Sequence, residues 1–151
     1  MISKTTHALA VSVLGASLLS GCSVGPKETW TNKGDGVVAT RSGFVTCYED
    51  ANLIDGVRTV GFLCGSATSG FMMDGPPEVE AVVGYGRGYH VELSKTLTGM
   101  KLSFGEQTGI LKCDPLKIEP GRTIPQSFCT LTLNGQKLVS AKILFDGAKM
   151  N

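Results

Sequence analysis

The chain has 151 residues, 18% of them charged, a formal net charge of +1, 42% apolar side chains and 20 glycines. That length suits a single domain behind a short leader, and many glycines with few charges favour a turn-rich β protein over a helical one. The near-neutral balance argues against a basic surface for nucleic acid or anionic lipid, and the steady recurrence of apolar residues argues against disorder.

Residues 1–7 carry one lysine, and residues 8–19 are apolar apart from Ser12 and Ser17. The apolar run is too short to cross a hydrocarbon core of about 30 Å as a helix, and it has the character of an export-signal h-region. It closes on Leu19-Ser20-Gly21-Cys22, a leucine and two small residues before a cysteine. These four residues resemble the lipobox of bacterial lipoprotein precursors. The resemblance implies that residues 1–21 form a cleaved signal peptide. Cys22 then becomes the first residue of the mature chain, with diacylglycerol on its thiol and commonly a third acyl chain on its amine. Each buried CH₂ contributes about 0.8 kcal/mol, so two or three chains make a firm membrane anchor. Position two of the mature chain is Ser23, where an aspartate would resemble an inner-membrane retention signal. The expected location is therefore the periplasmic face of the outer membrane. Removing the leader takes Lys4 from the 14 basic side chains and none of the 13 acidic ones, so the mature chain is formally neutral. The competing reading, a buried N-terminal helix ending in a chance cysteine, would need apolar cover on every side of that helix.

Setting Cys22 aside leaves an even cysteine set, Cys47, Cys64, Cys113 and Cys129. An exported chain sits where disulfides persist, so two bridges are expected, and four cysteines allow three connectivities. Cys47–Cys64 with Cys113–Cys129 is preferred because each pair brackets a connection that a hairpin could close. Closing a loop of roughly 15 residues stabilises by about 3 kcal/mol in the chain-entropy model. Four buried thiols are the alternative; zinc is disfavoured by the absence of a C-x-x-C pair.

Residues 23–36 read as a flexible tether, rich in Pro26, Gly34, Asp35 and Gly36, with the single tryptophan, Trp30, expected to dock on the domain or rest at the lipid interface. A single β domain is expected over 37–151. Candidate strands are 37–40, 44–48, 59–64, 79–85, 89–93, 100–104 and 109–113, with the polar Glu49-Asp50-Ala51-Asn52 leading to a turn at Asp55-Gly56. Asp74-Gly75-Pro76-Pro77 stops the short Phe71-Met72-Met73 run, and 114–128, holding Pro115, Pro120 and Pro125, reads as an ordered loop pinned by its flanking cysteines.

The clearest hairpin is 129–133, Asn134-Gly135, then 136–145. A plain two-residue turn would set Leu131 opposite Leu138 and turn Val139, Ala141 and Ile143 outwards. The expected solution is a three-residue loop, Leu133-Asn134-Gly135, with a bulge at Gly135. Cys129 and Leu131 then share a face with Val139, Ala141, Ile143 and Phe145. With no long amphipathic helix, the expected fold is mostly β, a small disulfide-stapled antiparallel β-sandwich or barrel.

The candidate binding loop is Gly84-Tyr85-Gly86-Arg87-Gly88-Tyr89-His90. Tyr85 and Tyr89 offer flat amphipathic surfaces, Arg87 a planar donor fork and the glycines close backbone approach, residue types common at binding hot spots. A glycine-rich hairpin with packed tyrosines explains the same residues. His90 is the only histidine beyond the leader, and no G-x-S-x-G elbow is present. His90 and Glu92 fall on one strand face as an acid–base pair or a solvated pair. Asp50, Asp55 and Asp74 are assigned to turns without a calcium motif, and Met72-Met73 to core filling or an adaptable contact. No catalytic residue, cofactor or metal is expected. The expected activity is that of an outer-membrane lipoprotein binding a periplasmic protein, of the inhibitor, immunity or exclusion type. An assembly accessory of the pilotin kind is the alternative, and an envelope glycan or lipid hydrolase the third.

Overall fold

Short glycine-containing turns pull the chain into hairpins, all at one end of the molecule. The computed structural model describes residues 30–147, apart from residues 42, 43, 71, 73, 119, 122 and 123. The lipobox with Cys22, the first part of the tether and Met73 lie outside the described residues. In chain order the elements are β1 (Gly36–Thr40), β2 (Thr46–Ile54), β3 (Val57–Ser66), β4 (Glu78–Val83), β5 (Tyr89–Glu92), the helical turn α1 (Leu93–Thr96), β6 (Met100–Phe104), β7 (Gln107–Pro115), β8 (Gln126–Leu133) and β9 (Gln136–Phe145). They form two sheets, β1-β9-β8-β7-β6 and β2-β3-β4-β5, stacked as a sandwich and not closed into a barrel. Only β1 against β9 is parallel; the other pairs are antiparallel.

The inner faces follow the alternation of each strand. Ile54, Leu63, Val79, Ala81 and Val91 from the four-stranded sheet meet Val38, Leu102, Leu111, Leu131, Ile143 and Phe145 from the five-stranded sheet in one continuous core. Both expected disulfides are present and join residues directly opposite each other, Cys47 with Cys64 across β2–β3 and Cys113 with Cys129 across β7–β8. They lie on different faces. Cys113 and Cys129 belong to the core, whereas Cys47 is exposed on the outer face of the four-stranded sheet.

Strand β2 runs straight through Glu49-Asp50-Ala51-Asn52, which the sequence reads as a polar break, and Asp50 is a buried strand residue and not a turn residue. The reason is tertiary. Asp50 Oδ1 accepts hydrogen bonds from the Lys33 and Ala51 amides at 2.8 and 2.7 Å, and Asn52 Nδ2 donates to the Leu138 carbonyl at 2.8 Å. Polar side chains satisfied in this way can occupy a sheet interior. The expected strand at 44–48 begins only at Thr46, because Phe44 turns back in an isolated bridge to Arg41. Met72 is not core filling: it is 76% exposed. The expected loop at 114–128 is shorter, since β7 continues to Pro115 and β8 starts at Gln126.

The last hairpin places the expected residues on the expected face by a different device. The turn has two residues, with Leu133 opposite Gln136 and positive φ at Asn134 (49°) and Gly135 (78°), as a type I′ turn requires. The three-residue loop is therefore absent, and Gly135 is not the bulge. The extra residue is Leu138, passed over between Thr132↔Lys137 and Leu131↔Val139, after which Cys129 faces Ala141. Leu138 and Val139 are both fully buried. A Cβ on Gly61 of β3 would come 2.7 Å from Leu138 and 3.0 Å from Val139, so the facing strand has a glycine where the bulge swells inwards.

From Trp30 onward, the stretch assigned to the tether is bonded to the domain. The Trp30 carbonyl accepts from Arg58 Nε and Nη2 at 3.1 and 3.0 Å, Lys33 Nζ sits 3.3 Å above the indole ring, and the Asn32 amide donates to the Ala51 carbonyl. The chain therefore joins the sandwich at the β2–β3 turn. That end also holds the β4–β5, β6–β7 and β8–β9 turns, as the bonds of Gly84 to Val60, Asn134 to Thr108 and Asn134 to Asp55 show. The opposite end carries the longer connections and α1.

Candidate functional site

Within the glycine-rich loop, the structure separates the four residues singled out from sequence. Gly84 adopts φ 63° and donates to the Val60 carbonyl, turning the chain out of β4. Tyr85 is 91% exposed, its ring 6.3 Å from Phe62 on the outer sheet face. Arg87 and Tyr89 border a shallow cleft with Ser103, Phe104, Gly105 and Gln107. Tyr89 meets Phe104 edge to face at 5.1 Å and donates its hydroxyl to the Ser103 carbonyl, so its ring serves the junction between the sheets. His90 is turned to the outer face, with Nε2 3.4 Å from Glu80 Oε1. The close backbone approach at Gly88 is to the Glu80 carboxylate, which would have to swing aside for a side chain there. Glu92, the expected partner of His90, is engaged with Ser94 and Lys95 instead. The hydrogen bond from Ser94, then the charge of Lys95, hold the Glu92 carboxyl below its ordinary range. The loop thus divides: Arg87 and Tyr89 border the cleft, whereas Tyr85 lies against Phe62 and His90 against Glu80 on the outer face. Among the described residues, no group of three or more His, Cys, Asp or Glu could hold a metal ion.

A second cleft, of about 590 Å³ like the first, lies at the opposite end, between the ends of the two sheets. One wall is the segment before β4, Asp74-Gly75-Pro76-Pro77, with Glu92, Leu93, Ser94 and Leu97 around α1; the other is Pro115, Leu116 and Ile118 after β7, with Pro125, Gln126 and Ser127 at the start of β8. Backbone bonds hold the walls: Leu93 N to Pro77 O, Leu116 N to Gln126 O and Phe145 N to Pro125 O, at 2.9, 2.9 and 2.8 Å. The lining is largely aliphatic, with Leu97 and Ile118 well exposed. Its volume falls within the range of about 300–1,000 Å³ usual for ligand sites. Gln126 is only 6% exposed, and its Oε1 has no hydrogen-bond partner among the described residues. An unmade bond at a buried acceptor costs about 1–3 kcal/mol.

Sequence reasoning passed over Leu97, Ile118 and Gln126. The available signal was the prolines, read as a strand stop at 76 and 77 and, at 115 and 125, as parts of an ordered loop. Their convergence depends on β4 and β8 starting at the same end of two different sheets. No family model, no curated protein and no solved structure matches this chain.

Proposed function

We propose that the chain is an exported, lipid-anchored protein-binding module of the outer membrane, facing the periplasm, non-catalytic, and of the inhibitor, immunity or exclusion type. The observation that carries this reading is that the tether and the aliphatic cleft lie at opposite ends of one sandwich. Trp30 is held beside Arg58 at the turn end. The cleft opens at the other end, a distance set by strands such as the ten-residue β9, about 33 Å at 3.3 Å per residue. If Cys22 is acylated, the residues up to 29 extend by at most about 28 Å. The attachment then lies at the end of the sandwich away from the cleft, which leaves the cleft free to meet partners in the periplasm. The two disulfides support an oxidising compartment. His90 is engaged with Glu80 on the sheet face and borders neither cleft, which supports a binding role over acid–base catalysis.

The test is metabolic labelling with a palmitate analogue, followed by separation of inner and outer membranes. The wild-type chain is expected to take up label and band with the outer membrane, and Cys22→Ala to lose both. An unlabelled wild type, or a Cys22→Ala variant found in the outer membrane at wild-type level, overturns the anchor and with it the orientation.

A further inference from the structure

The tip of the β2–β3 hairpin, where the chain joins the sandwich, carries side chains that the core does not use. Leu53 and Val57 flank its Asp55-Gly56 turn and are 60% and 66% exposed. Arg58, directly opposite Leu53, donates to the Trp30 carbonyl and lies 5.2 Å from the indole ring, which also carries Lys33 Nζ. The neighbouring β4–β5 turn, bonded to β3 through Gly84, adds the exposed Tyr85. Asp55 is turned aside, its two carboxylate oxygens accepting from Asn134 and Gln136. Aliphatic tips beside aromatic rings and long cationic side chains are residue types that suit the water–lipid boundary, apolar parts inward and charged heads among the phosphates.

Charge follows the same axis. On the outer face of the four-stranded sheet, Glu49, Glu78, Glu80 and Glu92 lie in the half nearer the opposite end, whereas Arg58 lies at the turn end. Of the other acids at the turn end, Asp35 is paired with Lys137, and Glu106 is in the β6–β7 turn at the edge of the other sheet. This arrangement brings cations near lipid phosphates and keeps the glutamates away from them. We infer that the turn end of the sandwich rests on the bilayer, with Leu53 and Val57 entering the headgroup layer and Arg58 and Lys33 meeting lipid phosphates. The inference rests on the anchored reading proposed above. Residues 23–29 join Cys22 to Trp30 over at most about 28 Å, so the acyl chains hold this end closest to lipid. The tether limits distance and leaves tilt free; the apolar tip sets the tilt.

The test uses the acylated full chain on vesicles of phosphatidylethanolamine and phosphatidylglycerol, with and without a phosphatidylcholine that carries a headgroup nitroxide. Trp30 is the single tryptophan, so its emission reports the turn end, and the nitroxide is expected to quench it. Leu53→Asp combined with Val57→Asp, both at exposed positions, should keep the chain on the vesicles and lose the quenching. A wild-type chain that is vesicle-bound but unquenched overturns the docking and leaves the anchored reading standing, with the tip open to a protein partner. Unchanged quenching in the double variant also overturns it, because the tether alone then explains the proximity. A wild type without acyl chains overturns both. If the double variant loses its circular dichroism, a photoactivatable headgroup lipid mapped on the wild type decides. Adducts within residues 53–58 support the docking, and their absence there overturns it.

Discussion

The Asp35 carboxylate accepts hydrogen bonds from the Ser140 hydroxyl and from Lys137 Nζ at 3.5 Å, tying the residue before β1 to β9. The Ser140 bond first, then the Lys137 charge, hold its carboxyl below the usual carboxylate range. A depressed folded-state pKa means that the ionised form stabilises the fold. The contribution is complete above the unfolded value of about 3.9 and is lost as pH falls through the folded one. Asp35→Asn should therefore be less stable than wild type at pH 7, with the difference shrinking between about pH 5 and pH 2. Urea midpoints across that range check it, and a difference independent of pH contradicts it. Tyr48 illustrates the opposite sign. Burial, then the charges of Asp50 and Asp35, push its phenol above the ordinary value, and its hydroxyl donates to the Gly34 carbonyl at 3.0 Å. The two shifts are not legible in sequence as a whole. Ser140 reaches Asp35 only through β1–β9 pairing, and Tyr48 gains its burial and the charge of Asp35 only through the packing of residues 34–36 on β2, whereas Asp50 is its neighbour along one face of β2.

Strand pairs show how much a local pattern specifies. The 17- and 16-residue separations of the cysteines, each across one connection, pointed to the correct connectivity because antiparallel neighbours bring such residues face to face. Which bridge is accessible was decided by sheet stacking. Cys47 lies exposed on an outer face, while Cys113 and Cys129 are 0% exposed. Thiol–disulfide exchange needs access to a sulfur. With a limiting thiol reductant in native buffer, Cys47 and Cys64 should be alkylated before Cys113 and Cys129. Peptide mapping measures the order, and the reverse order contradicts the assignment of faces. Each loop gains about 3 kcal/mol in the chain-entropy model, so losing the exposed bridge alone should leave a folded domain. The final hairpin teaches a similar lesson. Asn134-Gly135 dictates a two-residue turn, core burial dictates the face of Val139 to Phe145, and the two demands differ by one residue. Leu138 absorbs the mismatch as a bulge because Gly61 on β3 leaves it room.

Across the whole molecule, near-neutrality conceals a division of charge. Strand alternation puts Glu49, Glu78, Glu80 and Glu92 on the outer face of the four-stranded sheet. Lys101, Lys112, Lys137 and Lys142 lie on the outer face of the five-stranded one. Two of those lysines are paired locally, Lys112 with Asp114 at 2.8 Å and Lys137 with Asp35 at 3.5 Å. Net charge could not reveal this, since it carries no information about faces. The core, by contrast, is shared: Ile54, Leu63 and Val79 of one sheet pack with Leu131, Val139 and Ile143 of the other. The oxidised chain should therefore unfold in a single transition. Trp30 fluorescence, reporting the β2–β3 hairpin, and far-ultraviolet circular dichroism, reporting both sheets, should trace one urea curve. Separate midpoints would show that the sheets come apart independently.

What the sequence by itself determined is local and pattern-based: a mostly β chain, the positions of hairpins such as those at Asp55-Gly56 and Asn134-Gly135, the two disulfide pairs and the inner face of β8 and β9. Each depends on residues close in the chain, or on a period of two that burial of one face enforces. The lipobox resemblance of Leu19 to Cys22 is local in the same sense. The tertiary structure alone decided that Asp50 and Asn52 sit within a strand, that Tyr85, Arg87, Tyr89 and His90 divide between two surfaces, and that Pro76, Pro115 and Gln126 converge on one cleft. Those facts require knowing which sheet each strand joins and which end of the sandwich each connection occupies. Neither is written in any short stretch of residues.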